Sequence, residues 1–165
     1  LKFILIVGID NGLDGGLCAI SLFDGGVISK MAMPTIMVGE KREIDTREIK
    51  EWLLYLNTPF HLAIEEPLAH AKSSQAMRSM ALSFGKLIGM AETNNYEVQR
   101  VAVHKWQKRI LGKISRGTSK QVAFEKAEER VPDEQWLKNS RCRVPHDGMV
   151  DAFLIARYFW ETKKN

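Results

Sequence analysis

The residues of this chain best suited to chemistry are four carboxylates, Asp10, Glu65, Asp147 and Asp151. Asp10 closes the apolar run Ile4-Leu5-Ile6-Val7-Gly8-Ile9, and Glu65 closes the shorter run Leu62-Ala63-Ile64. Such runs, bounded by glycine or proline, are expected to be strands buried on both faces. A carboxylate at the mouth of a buried strand is rarely tolerated without a partner or a cation. Asp147 and Asp151 lie four apart, so on a helix they project from one face. Acids gathered at one point repel strongly at low dielectric. Divalent cations relieve that repulsion, and oxygen-only ligation favours magnesium, or manganese in its place, over zinc.

Each acid also has a plainer reading. Asp10 could cap the glycine turn that follows it, Glu65 could be a strand-end surface acid, and Asp147 could be the N-cap of the last helix. Asp151, between Val150 and Ala152-Phe153, is the least compatible with a purely solvated role. His146 could be a ligand, a general base or an exposed helix-entry residue.

The elements that must position these groups follow from pattern. Residues 3–10 are expected to be a strand, and Asn11-Gly12 with Asp14-Gly15-Gly16 a turn into a second strand over 17–23. Asp24-Gly25-Gly26 turns into a third strand over 27–33, making an antiparallel meander. Pro34 to Arg42 reads as irregular. Asp45 caps a helix with Ile49, Trp52, Leu53 and Leu56 on one face, and Pro59 ends it. Residues 62–66 form a strand of a βαβ unit. A helix from Ala76 to Ala91 carries Gly85 and Gly89, read as a close contact face for a sheet or another helix. Val98 to Val103 is a further strand and Trp106 to Leu111 a short helix. A basic loop spans Gly112 to Gly117, Thr118 or Ser119 caps the next helix as far as Val131, and Pro145-His146-Asp147 opens the last. In that last helix Val150, Phe153, Leu154, Ala156 and Phe159 cover one side. The fold class is α/β, a mixed β-sheet with helices on both faces, whose ligands sit at the carboxyl ends of the strands.

Composition narrows the function. With 165 residues and 45% hydrophobic content, the chain can build one sizeable core, so residues 1–165 are expected to be a single domain. The net charge of +4 is moderately basic, and Lys105, Lys108, Arg109, Lys113, Arg116 and Lys120 concentrate it in one region. That cluster is either a phosphate-binding surface or a solvated face. Trp106 within it could stack on a base or belong to the core. The two cysteines, Cys18 and Cys142, lack metal-ligand spacing, and no disulfide is expected. The apolar start is about half the length needed to span a bilayer. A soluble, cytoplasmic protein with no membrane partner is expected.

Taken as an ordered set, Val7-Gly8-Ile9-Asp10-Asn11-Gly12, Ala63-Ile64-Glu65, Gly117-Thr118-Ser119-Lys120 and His146-Asp147-Gly148-Met149-Val150-Asp151-Ala152 resemble the RuvC-type Holliday-junction resolvases, especially those of bacteriophages. The resemblance covers most of the chain in order, spacing and length. It implies a ribonuclease H-like fold, a homodimer, magnesium, and paired nicks in four-way DNA junctions. It places Asp10, Glu65, Asp147 and Asp151 at the acidic, metal-binding catalytic positions, and Lys120 near the scissile phosphate. Lys72, Lys105, Lys108 and Arg109 join Lys120 as the expected DNA-binding residues. The chain departs from the bacterial pattern in two places: there the acids of the last helix are three apart, and an aromatic follows the strand-end glutamate where this chain has Leu68 and His70.

The expected activity is that of a metal-dependent endodeoxyribonuclease that nicks four-way or branched DNA by two-metal phosphodiester hydrolysis, two ions per site. The alternatives are an RNA-processing nuclease of the same superfamily and a non-catalytic junction-binding module. The glycine-bounded Asp10-Asn11-Gly12 loop also looks like the phosphate loop of actin-like and sugar-kinase ATPases. Those need two such domains, which this length cannot supply, so no nucleotide cofactor is expected.

Overall fold

The computed structural model describes residues 4–70 and 73–163. The strand Leu5–Asp10 (β1) is central to a five-stranded sheet of order β3-β2-β1-β6-β7. β2 (Gly16–Ser21) and β3 (Val27–Ala32) return antiparallel as the meander expected from the two glycine turns. β6 (Phe60–Glu65) and β7 (Val98–Val101) add on the other side in parallel. Val7 pairs with Ala19 on one side and with Leu62 on the other. Every residue of β1 before Asp10 is buried, as a continuous apolar run requires at the middle of a two-faced sheet.

Helices cover both faces. One layer is α1 (Thr46–Tyr55) and α2 (Ser74–Thr93), which bury Ile49, Leu53, Leu87 and Ala91 against Val7, Ile9, Leu17 and Leu62. The opposite layer is α3 (Val103–Ile110), α4 (Ser119–Arg130) and α5 (Asp147–Lys163), packed on Ile6, Cys18, Ile20 and Ala63. α1 starts where expected: the Asp45 carboxylate accepts from the backbone N–H groups of Arg47 and Glu48.

α5 differs from a simple one-sided helix. Met149, Ala152 and Ile155 are buried along with Val150, Phe153, Leu154, Ala156 and Phe159, because the sheet lies beneath and α3 and α4 flank it. Its approach to β1 is so close that a Cβ at Gly8 would sit 2.0 Å from the backbone oxygen of Ala152. Glycine is what lets this helix lie against the central strand.

Two expectations are corrected. The 34–42 segment is not irregular: Thr35–Val38 (β4) and Lys41–Ile44 (β5) form a separate two-stranded hairpin. Its two-residue loop begins at Gly39, whose φ of 62° suits the tight turns that match strand twist. The β-branched content of Thr35, Ile36 and Val38 was a signal for it. Gly85 and Gly89 contact no sheet or helix; both are exposed on the outer side of α2, with no atom within 4 Å of where a Cβ would stand. The buried side of α2 is instead Ser83, Leu87 and Ala91. Among the described residues no helix is long and apolar enough to cross a membrane.

Candidate active site

Parallel pairing of β1 with β6 brings Asp10 and Glu65 to the same carboxyl edge of the sheet, one residue past the last register pair Ile9 and Ile64. The antiparallel run of α5 over β1 places its N-terminal turns, with Asp147 and Asp151, at that edge. The tie between the elements is specific. The buried Asn11 side chain donates from Nδ2 to the backbone oxygen of Glu65 at 2.5 Å, which holds the ends of β1 and β6 together. An isolated bridge between Gly15 and Gly148 joins the first turn to the start of α5.

Burial and mutual repulsion shape the electrostatics. Burial, and then the neighbouring Asp10 charge, push the Glu65 carboxyl up to about 8. Burial first and Asp10 second likewise push Asp151 up to about 8, with Asp147 adding to the repulsion and Lys120 opposing it. Burial also lifts Asp10, to about 6, against the stabilising N–H of Gly12 that its Oδ1 accepts at 3.1 Å. Asp10 acts on both Glu65 and Asp151, and Asp151 acts on Glu65, while the Asp14 charge adds to the rise at Asp10. Such values mark a site where ionising the carboxylates together is costly, a cost that a cation would offset.

Asp147 stands apart from this half-buried trio. It is exposed, and its Oδ2 lies 2.7 Å from Lys120 Nζ, at the start of α4. The residue three before Asp151 is Gly148, and a Cβ there would come within 2.3 Å of the Gly15 backbone. No acid could occupy that position, so the second carboxylate of α5 lies one residue earlier, on the rim. Burial and the Lys138 charge hold the neighbouring His146 below its ordinary range, and its Nδ1 accepts from the backbone N–H of Met149 at 3.2 Å. That places His146 as a cap for the first turn of α5.

The oxygen-only donor set fits magnesium or manganese. Among the described residues no three acidic, histidine or cysteine side chains close on a single point. An open cluster suits magnesium, which usually takes one or two protein carboxylates and completes its octahedron with water and substrate phosphates.

Trp106 takes the core position that its sequence allowed, and what sequence patterns missed is its partner. Trp106 is buried, 1% exposed, and its Nε1 donates to Glu65 Oε1 at 2.8 Å. It is therefore not available to stack on a base. Its indole N–H needed a partner once buried, and that need was the available signal. Glu66 points elsewhere, lining a cleft of about 440 Å³ with Arg100, Lys105, Tyr158 and Lys163. Of the expected DNA-binding residues, Lys120 is drawn to Asp147, Lys105 lines that cleft, Lys108 and Arg109 are exposed in the last turn of α3, and Lys72 lies outside the described residues.

No family model matches the chain, and no curated protein matches it by sequence. Its fold has clear neighbours among solved structures. Thermus thermophilus RuvC, solved in complex with a Holliday junction substrate, superposes with a TM-score of 0.67 over 98% of this chain and 96% of that one, at 14% identity. A second structure of T. thermophilus RuvC gives 0.61 over 97% and 96%, at 15% identity. The ribonuclease H-like, mixed-sheet fold that the motifs implied is the one observed, and the chain is built over nearly its whole length on the fold of RuvC.

Proposed function

We propose that this protein is a magnesium-dependent endonuclease that nicks four-way DNA junctions. The observation that carries the reading is the half-buried trio Asp10, Glu65 and Asp151, which meets at the carboxyl edge of the sheet and whose charges repel one another. The fold shared with a protein solved on a Holliday junction supports DNA as the substrate.

Asp10, Glu65 and Asp151 would hold the ions, with Asp147 joining from the rim. When bound, two such ions supply a water activated for in-line attack on phosphorus and charge neutralisation at the leaving 3′ oxygen. The chain's own groups do the rest. Trp106 fixes the Glu65 carboxylate through one oxygen and leaves the other for ligation. Lys120, exposed beside Asp147, is placed to neutralise a phosphate as the strand enters. The cations of α3 and of the loop after it, none ion-paired among the described residues, hold the strand through its backbone and carry little sequence information.

Symmetric cuts on two strands require two sites, so the active unit is a two-fold homodimer. The outward side of α2 is its interface: Met77 and Leu82 are exposed there beside Gly85 and Gly89, whose missing side chains permit close approach of a second helix. Light scattering should give a dimer at micromolar concentration with or without junction DNA, and a monomer under both conditions would remove this part.

The activity is tested with labelled four-way DNA, linear duplex and structured RNA in magnesium. Asp10→Asn and Asp151→Asn should abolish junction cleavage while junction binding is retained or improved, since a charge that repels phosphate is gone. Cleavage of the junction by Asp10→Asn at near wild-type rate would overturn the proposal. Preferential cleavage of RNA would instead favour an RNA-processing nuclease.

A further inference from the structure

Between α4 and α5 the chain makes a closed loop whose ends are joined by a hydrogen bond from His146 N to Trp136 O, 2.6 Å long. The loop is firmly founded. Trp136 is 2% exposed, packs on Phe153 of α5 at 5.1 Å between ring centroids, and lies under the Lys30 ammonium, which is itself paired with Glu134. Within the loop Asn139 braces the turn, accepting from Arg141 N at 3.0 Å through Oδ1 and from Cys142 N at 3.1 Å through its backbone oxygen.

The charge on this scaffold is one-sided. From Leu137 to Pro145 there are three cations, Lys138, Arg141 and Arg143, and no acid. All three are exposed, and none is ion-paired among the described residues. A solvated basic face on a helix commonly intersperses acids for its own cations, and this loop has none. It also ends on His146 and Asp147, at the rim of the acidic trio, and Lys138 is close enough for its charge to act on His146.

We propose that the loop 137–145 is a second DNA-contact surface, in which Lys138, Arg141 and Arg143 take backbone phosphates of the strand that reaches Asp10, Glu65 and Asp151. This rests on the nuclease reading above and adds a surface on the side of α5 where Trp136 packs, meeting the 105–120 cluster at the Asp147–Lys120 pair. The two guanidinium groups are suited to paired contacts with phosphate oxygens, and the braced turn holds them with little ordering left to do on binding.

The test is the salt dependence of binding, measured by anisotropy on labelled four-way DNA and on a linear duplex, in chelator so that no cutting intervenes. Each phosphate contact contributes about 0.9 to the slope of log affinity against log salt, so the Lys138→Gln/Arg141→Gln/Arg143→Gln variant should lose about 2.7. Between about 50 and 200 mM salt the wild-type affinity should then fall ~40-fold more than the variant's. An unchanged slope, with wild-type protein binding and cutting junctions, would overturn this inference and leave the nuclease reading intact. Failure of the wild type to bind any DNA would overturn both. An independent arm uses Cys142, which sits in the loop while Cys18 is fully buried with its thiol pushed far up by that burial. A photo-crosslinker on Cys142 should attach to the four-way DNA in the otherwise wild-type protein, and absence of any adduct at concentrations where binding is complete would also overturn the inference.

Discussion

Removing one charge from the acidic trio should stabilise the metal-free protein, increasingly so as pH rises from 4.5 to about 8. The Glu65 carboxyl is raised from 4.5 to about 8 in the folded protein, chiefly by burial and then by Asp10. The folded state therefore holds this proton through a pH range in which the unfolded chain has released it. No penalty exists below the unfolded value; it accrues as pH rises from 4.5 and is complete once pH passes about 8. One pKa unit is about 1.4 kcal/mol, so a rise from 4.5 to about 8 sets a ceiling of ~5 kcal/mol on the penalty. Glu65→Gln keeps the side-chain shape and an oxygen that accepts from Trp106, and removes the charge. In chelator, its stability relative to wild type should differ between pH 4 and pH 8.5 by about 4 kcal/mol, in favour of the variant at the higher pH. Denaturant unfolding at the two pH values measures this, and any constant effect of the amide cancels in the difference. Parallel curves, with the gap changing by less than about 0.5 kcal/mol, would show that Glu65 is not held against the other acids and would refute the electrostatic description of the site.

Trp106→Phe keeps the buried ring and deletes the N–H that stabilises the Glu65 anion, so the carboxyl should rise further in the presence of Asp10 and Asp151. The acidic limb of the cleavage-against-pH profile should move to higher pH, and a rate loss uniform across pH would assign Trp106 to packing alone. Gly8→Ala should cost about 3 kcal/mol or more, because the new methyl would meet the Ala152 backbone oxygen and overpacking of a closed core is not relieved by rotamer changes. Thermal unfolding checks it; a melting temperature within a degree or two of wild type would mean that α5 sits less tightly on β1 than described.

Much of the sheet was legible in the sequence because its signals are local. The unbroken run Leu5 to Ile9 marks a central strand by itself, the Asp-Gly-Gly turn marks the hairpin after β2, and Asp45 announces α1. The same holds for the acids as a set: a carboxylate at the end of each of two buried strands is conspicuous before any folding. The hairpin at 35–44 was missed because four-residue strands give too short an alternation to stand out from a loop.

Tertiary structure alone decided the working of the site. Trp106 lies 41 residues from Glu65, and nothing in the spacing says that its indole ends on that carboxylate. Asn11, 54 residues from the carbonyl it holds, reads as a turn residue until the parallel pairing of β1 and β6 puts Glu65 beside it. The division of α5 between a half-buried Asp151 and a rim Asp147 follows from Gly148 lying on the Gly15 backbone, a contact between two turns far apart in the chain. The outward direction of Gly85 and Gly89 likewise depends on which side of α2 the sheet buries. Residue type and period determine whether a segment can be a strand or a helix, since those preferences act over a few residues. Which carboxylates share a low-dielectric space, and which donor each one finds, depends on distances set only when remote elements pack.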